Sequence, residues 1–358
     1  MVLGDGDTAL IRPIRPDDVE LLRSFHVRQS DESKYRRFFS AKPTLSDAEL
    51  RHFTEVDFVD RVALAVVLHD EFIGWASYEK WPNRADAEAA FMVDDAHQGK
   101  GIATLLLEHL AAIARANGIE RFTAEVLADN RAMTRVFTRA GWPLQRRFDS
   151  VVIDFDFDLE NTTEFVDSVE RREQRADSRA MARLLLPRTI AVVGASDRPG
   201  TIGHRVWHNT RRDFAGTCYP VNPNRTEVDG ETAFARVSDI DADVNLAVIA
   251  VPNTALDAVI DDCIEARVRG AVIVTSVDDA GLDMPALVQR ARRNGLRLIG
   301  PASMGIASPR ADAAISASLI DVPLPSGGVA ISMQSGTLGT SLLRLAGELQ
   351  MGISWFVS

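Results

Sequence analysis

The stretch HQGKGIATLLLEHL, His97 to Leu110, sets Gly99 and Gly101 directly before a run whose apolar residues recur at helical spacing. A helix start leaves backbone N–H groups unpaired, and together with the helix dipole they attract a phosphate. Glycines there let the backbone approach the anion because they carry no Cβ. The GxxxxGK[ST] spacing of a nucleotide-cleaving loop is absent, and a plain helix start also accounts for the pattern. A second glycine-punctuated entry, GASDRPGTIGHRV at Gly194 to Val206, lacks the GxGxxG dinucleotide fingerprint, Ser196 and Arg198 replacing two of its features. The next strand ends in Asn222-Pro223 with no acidic residue to hold a ribose, which disfavours NAD. Glu125 in FTAEVLADN, flanked by Ala124 and Val126, is a carboxylate in a half-apolar strand. Desolvation there would raise its pKa toward neutrality and suit it to general-base work. Glu88, ahead of the run before the first cradle, is the second candidate; a strand glutamate that faces solvent or pairs with an arginine fits the same residues.

The elements that must carry these residues read as two and a part domains. Residues 1–160 alternate helices and strands. TALIRPIRP reads as an edge strand, PDDVELLRSFHVRQS as a helix, and SDAELRHFTEV as a second helix opened by the capping box Ser46–Glu49. RVALAVVLHD, EFIGWASYEKW and AEAAFMVDD read as a strand meander with a tight His69–Asp70 link. The helix Ile102–Asn117 follows, with Gly118 as its stop, then the strand around Glu125, a helix from Asn130 to Gly141 and the closing strand SVVIDFDFDL. Residues 161–187 are charged and helix-favouring; with Arg171, Arg172, Arg175 and Arg179 close together they read as a solvated linker helix, or else as a dock for an acidic partner. Residues 188–310 repeat short apolar strands separated by helical segments, the signature of a parallel sheet covered on both faces. A further strand–helix unit occupies 320–358, ending at ISWFVS where a strand is expected to finish.

Composition narrows the function. The 358 residues are 46% hydrophobic and 25% charged, as in soluble globular proteins, with 51 acidic against 40 basic side chains and a net charge of −11. That balance argues against a nucleic-acid partner. There is no apolar run of about 18 residues and the first residues are acidic, so no membrane span or leader is expected and the cytoplasm is the expected location. Cys218 and Cys263 show no metal-ligand or disulfide spacing, and no metal is expected.

The order of strand, Q-x-x-G-x-A, long helix, strand and D-N-R-A-M-x-x-V-F-x-R-x-G-W resembles the GNAT acetyltransferases over about residues 8–158. The resemblance implies that Gln98, Gly99, Lys100, Gly101, Ile102 and Ala103 hold the pyrophosphate of acetyl-CoA. Met92 and Val93 then lie on the strand whose backbone pairs with the pantetheine arm, and Asn130 and Phe137 lie near the cofactor, Asn130 also being a helix cap. The E-V-L-x-[DE]-N context of Glu125 resembles bacterial protein lysine acetyltransferases, which implies that Glu125 is the base. Phe137 stands where many members place a tyrosine that protonates the thiolate, and phenylalanine has no proton to give.

From about Arg188 to Ala307 the motifs VGASDRPGTIG, YPVNPNRTEVDG, NLAVIAVP and LIGPASMG resemble the CoA-binding domain of ADP-forming acyl-CoA synthetases. This implies a second acyl-CoA or CoA site at Gly194, Ala195, Ser196, Arg198, Pro199, Gly203, Asn222, Pro223, Val251 and Pro252. MQSGTLG resembles the start of the succinyl-CoA-synthetase-like domain that follows in that family. Two motifs depart: P-A-S-M-G (Pro301 to Gly305) replaces P-N-C-x-G, and TSVDDAG (Thr275 to Gly281) replaces S-A-G-F. The family's phosphohistidine and ATP-grasp domain are expected beyond residue 358. The combined resemblance is to Pat-type protein lysine acetyltransferases. It implies acetyl transfer to a lysine on a metabolic enzyme such as an acyl-CoA synthetase, under acyl-CoA control. A small-amine acetyltransferase, a non-catalytic acyl-CoA sensor and a synthetase fragment remain as alternatives.

Overall fold

The computed structural model describes residues 1–276 and 282–358, so Val277–Gly281 of the TSVDDAG segment lie outside the described residues. The chain divides into two units, Met1–Ala180 and Met181–Ser358.

In the first unit β1 (Leu10–Pro13) leads to three short helices, α1 (Val19–Arg28), α2 (Asp31–Phe38) and α3 (Asp47–Thr54). Side-chain caps set the starts of α2 and α3. Ser30 Oγ accepts from the Ser33 amide at the head of α2, and Ser46 and Glu49 form the expected reciprocal box at the head of α3. The meander follows as β2 (Arg61–Leu68), β3 (Glu71–Lys80) and β4 (Asp86–Val93). His69 and Asp70, at φ 50° and 57°, make the two-residue turn whose twist matches the flanking strands. Then come α4 (Ile102–Ala116), β5 (Arg121–Leu127), α5 (Arg131–Thr138), β6 (Leu144–Asp149) and β7 (Val152–Asp158). The seven strands are ordered β1-β2-β3-β4-β5-β7-β6. Seven of the eight residues of β2 are buried because both faces of the sheet are covered. Leu106, Leu107 and Leu110 of α4 pack with Val62, Leu64 and Val66 on one face, and Leu22, Phe25 and Leu50 pack with Ala63, Ala65 and Trp75 on the other.

One pairing in this sheet is incomplete. Parallel β4 and β5 are in register only at Asp86–Arg121, Ala87–Phe122 and Glu88–Thr123, although β4 continues to Val93 and β5 to Leu127. Beyond Glu88 the edge of β4 that faces β5 has no strand partner, while its other edge stays paired to β3 through Gly74–Val93.

The charged segment forms one helix, α6 (Thr163–Leu185), which holds the division between the two units and is mostly exposed, but one face of it is docked and not solvated as expected. Phe165 stacks on Trp142 with ring centroids 4.2 Å apart, Ser168 Oγ donates to the Ala140 carbonyl at 3.0 Å, and Ala176 and Ala180 are buried. Three of the four arginines proposed for an acidic partner are engaged within the first unit: Arg171 lies 4.0 Å from Asp167, Arg172 pairs with the largely buried Glu108 of α4, and Arg179 donates to the Gly4 carbonyl. Charge composition alone misses this because the buried positions of α6 are mostly alanine and single aromatics.

The second unit is built on β8 (Thr189–Val193), α7 (Ile202–Asp213), β9 (Thr217–Val221), the small hairpin β10 (Glu227–Val228) and β11 (Glu231–Thr232), β12 (Leu246–Ile249), α8 (Asn253–Glu265), β13 (Gly270–Ile273), α9 (Met284–Arg293) and β14 (Arg297–Ile299). Its five-stranded sheet is parallel in every pairing, with order β14-β13-β12-β8-β9, as a doubly wound fold requires. A four-stranded sheet, β16-β15-β18-β17, is made by β15 (Gly305–Ser308), β16 (Ile315–Ser318), β17 (Ser326–Ser332) and β18 (Ile353–Val357), with α10 (Gly336–Glu348) crossing between the parallel β17 and β18. Asn209 of α7 ties the two sheets by donating to the carbonyls of Ser318 and Ile320 at 3.0 and 2.9 Å.

If α6 is part of the first core, Phe165→Ala will lower stability by about 3 kcal/mol, the range for a buried aromatic. Chemical denaturation followed by tryptophan fluorescence measures this; a loss below about 1 kcal/mol contradicts the docking.

Candidate active site

A cleft of about 650 Å³ opens where β4 parts from β5. Its walls are Glu88 to Val93 of β4, Ala124 to Val126 of β5, the loop at His97 to Gly99, the turn from Gly101 to Thr104, and parts of α2 and α5. At one end Gly101 sits at φ 82° as the N-cap of α4, a left-handed conformation that glycine alone adopts without strain. The first turn of α4 holds no acidic residue to compete for its free amides. Gln98, Gly99, Gly101, Ile102 and Ala103 all line the cleft, with Ile102 also buried in the core. The Gln98 amide donates to Asp95 Oδ1 at 2.9 Å, which fixes the loop. Lys100 does not join them: its ammonium pairs with Asp5 at 3.0 Å and Asp7 at 3.3 Å, so its side chain is not offered to a phosphate. The sequence placed it in the site by adjacency, whereas the N-terminal acids claim it.

Met92 is buried against the α1–α3 side, and Val93 packs on the α4 side. What both bring to the cleft is the free backbone edge of β4. Asn130 Oδ1 accepts from the Met133 amide at 3.1 Å, so its capping role is seen directly. Phe137 is buried among Phe91, Phe155 and Phe157, with centroids 5.2 to 5.9 Å apart, and its edge closes the cleft. No tyrosine is among the lining residues.

Glu88 and Glu125 share one face of the split. Glu88 lies opposite Thr123, and Glu125 is two residues further along β5, so the pleat turns both side chains the same way. The expected desolvation of Glu125 by Ala124 and Val126 is not found. Those neighbours point to the α4 side, and Glu125 is exposed. Glu88, though also solvent-accessible, is raised above the usual carboxylate range by partial desolvation among the cleft walls and by the charge of Glu125, with Arg37 pulling the other way. Neither glutamate has a hydrogen-bond or salt-bridge partner among the described residues.

Arg37 was not singled out by the sequence, because α2 itself was not read there. Ser30 followed by Asp31 and Glu32 is the cap signal that marks it. The guanidinium lies 5.0 Å from the Phe38 ring centroid, 5.9 Å from that of Phe53 and 5.2 Å from that of Trp75.

The second cradle lies at the carboxyl ends of β8, β9 and β12, where the strand order reverses, the usual ligand position in such sheets. A Cβ on Gly203 would sit 1.9 Å from the Gly194 carbonyl oxygen, so only glycine lets α7 start this close to β8. Asn222 Nδ2 donates to the Ala195 carbonyl at 2.8 Å, and Ala195 and Val251 are buried, which binds the loops after β8 and β9 together. Ser196 Oγ accepts from the Arg198 amide at 3.0 Å, leaving the Arg198 side chain exposed; Pro199 precedes Gly200 at φ 83°, Pro223 follows Asn222, and Pro252 caps α8. Burial raises both thiols, Cys218 to about 12, so neither supplies a thiolate at neutral pH. No group of side chains able to hold a metal occurs among the described residues, and none of their helices is long and apolar enough to cross a membrane.

Residues 9–142 match the acetyltransferase (GNAT) domain family and residues 188–309 match the CoA binding domain family. An acetyltransferase of Pseudomonas aeruginosa is 30% identical over 148 residues, which cover 40% of this chain and 80% of that protein. The acetyltransferase Pat of Mycolicibacterium smegmatis is 38% identical over 145 residues, 38% of this chain and 41% of that protein. An ADP-forming acetate–CoA ligase of Methanocaldococcus jannaschii is 35% identical over 176 residues, 48% of this chain, and the chain spans only 24% of that ligase's length. The chain belongs to the GNAT acetyltransferase family, with its GNAT domain ahead of a stretch that matches the CoA binding domain family.

Proposed function

We propose that the first unit transfers the acetyl group of acetyl-CoA to the Nε of a lysine on a protein, and that acyl-CoA or CoA bound to the second unit regulates the transfer. The observation that carries this reading is the pair of unpaired glutamates on the open face of the split between β4 and β5. An ammonium acceptor needs both attraction to the cleft and a base, and two carboxylates supply them. Glu125 takes the proton as the acceptor nitrogen attacks the thioester carbonyl. The new bond is N–C and the bond broken is C–S. Glu88, held less acidic, draws the ammonium in. Free amides along β4 beyond Glu88 are placed to receive the developing oxyanion, in the manner of backbone donors at other acyl-transfer sites. With Phe137 in place of a phenol, the sulfur leaves as thiolate and takes its proton from water. The protein partners in this reading are metabolic enzymes with an exposed lysine, AMP-forming acyl-CoA synthetases first among them.

Radiolabelled acetyl-CoA offered to an acyl-CoA synthetase and to a panel of small amines tests the acceptor class; label on amines alone defeats the protein reading. Glu125→Gln is expected to lower kcat by about 10²–10³, the loss typical of a general base, with little change in acetyl-CoA affinity. Wild-type kcat/KM will fall as pH drops through a value above the ordinary carboxylate 4.5, where the raised Glu88 loses its charge, and Glu88→Gln will remove that component of the acid limb. A pH–rate profile unchanged by Glu88→Gln contradicts the assignment.

Calorimetric titration of the whole chain with acetyl-CoA should resolve two sites. Gly101→Ala, which puts a side chain at φ 82°, should weaken one of them about tenfold through a strain of about 1–2 kcal/mol and leave the other alone. A single site that ignores the substitution would overturn the two-cradle reading.

A further inference from the structure

Arg37 is out of keeping with its surroundings. Its neighbours on and beside α2 are engaged: Arg36 pairs with Glu32 at 2.5 Å, Lys42 pairs with Glu49, and Arg61 donates to His52, which itself lies 3.3 Å from Glu79. Arg37 lines the cleft, yet has no ion pair or side-chain hydrogen bond among the described residues, and its buried Nε is unsatisfied. Three aromatic rings hold the guanidinium in place, and desolvation pulls its pKa down to about 10, with Glu88 the one charge opposing that shift. It therefore stays cationic at neutral pH. An immobilised, desolvated and unpaired guanidinium gains more from a carboxylate than a mobile surface arginine does, because little ordering remains to be done.

An anion reaching Arg37 must come from the acceptor or from the acyl group. A carboxylate at the end of an acyl chain would bring only negative charge past Glu88 and Glu125, with no cation to offset it. An acceptor carrying both signs meets complementary charge instead, its ammonium at the glutamates and its carboxylate at Arg37. We propose that Arg37 is a specificity-determining residue that receives an acidic side chain close to the acceptor lysine, so that the cleft selects lysines accompanied by glutamate or aspartate. This rests on the protein-lysine reading above.

The test measures kcat/KM of the whole chain with saturating acetyl-CoA on single-lysine peptides. These differ at one residue, placed in turn at each of three positions either side of the lysine and set to glutamate, glutamine or arginine. Wild type should favour glutamate about tenfold at one or more positions. Arg37→Gln should abolish the preference, Arg37→Glu should turn it toward arginine, and Arg37→Lys should keep part of it. Equal rates on all peptides in the wild type, or an unchanged preference in Arg37→Glu, would overturn the proposal, and the wild-type comparison stands even if a variant fails to fold. Equal peptide rates combined with faster transfer from succinyl-CoA than from acetyl-CoA would assign Arg37 to the acyl group instead and overturn it too. Acetylation of small amines with no labelled peptide is a different result, and it defeats the protein-lysine reading itself.

Discussion

The parting of β4 from β5 after Glu88 is the constraint on which the first unit turns. A sheet that leaves backbone amides unpaired forgoes hydrogen bonds that its neighbours make, and buried groups of that kind are tolerated where a ligand or water takes them up. The split creates the cleft, exposes the edge along which an extended thioester arm can lie, and aims two glutamates from adjacent strands into the same space. The glycine turn at Gly101 stands at one end of this opening and the aromatic cluster around Phe137 closes a wall. Each works only because the strands separate.

Charge in the cleft is divided by position. Free helix amides at the head of α4 favour phosphate at one end, and the glutamates favour a cation further in. In the proposed reaction, binding and chemistry are thereby kept apart along one groove, and the anionic carrier is not driven toward the carboxylates that meet the amine. The second unit has a helix start of a different kind, with Thr201 capping α7 behind Gly200, in a different frame. There the parallel sheet is fully paired along its strands, and the ligand position is supplied by the reversal of strand order and not by a gap.

Much of this was legible in residue patterns. The helix Ile102–Asn117, the His69–Asp70 turn, the capping box at Ser46 and the run of apolar strands after Arg188 are local signals, and each element formed as its pattern predicts. What escaped depends on contacts distant in sequence. Lys100 is drawn off by Asp5 and Asp7, nearly a hundred residues away. Arg37 matters through rings contributed by α3 and β3. The exposure of Glu125 follows from the pleat, which sends the apolar neighbours at i±1 to the opposite face, so a residue between two hydrophobes on a strand is the one they do not cover. β6, LQRRFD, has one half-buried residue in six and therefore no alternation to read.

The helix α6 has a consequence for how the protein can be divided. Phe165 joins the first core and Ala176 and Ala180 are buried, while Leu184, one turn further on, belongs to the core that holds Ile190 and Leu246. A cut placed where the composition changes, at residue 161, strips the first unit of its last core layer, and a cut at 188 leaves Gly270 facing the space that Leu184 filled. No bond along α6 leaves both halves with a whole helix, so insertion or recombination within this segment is penalised in a way that its polar, alanine-rich sequence conceals.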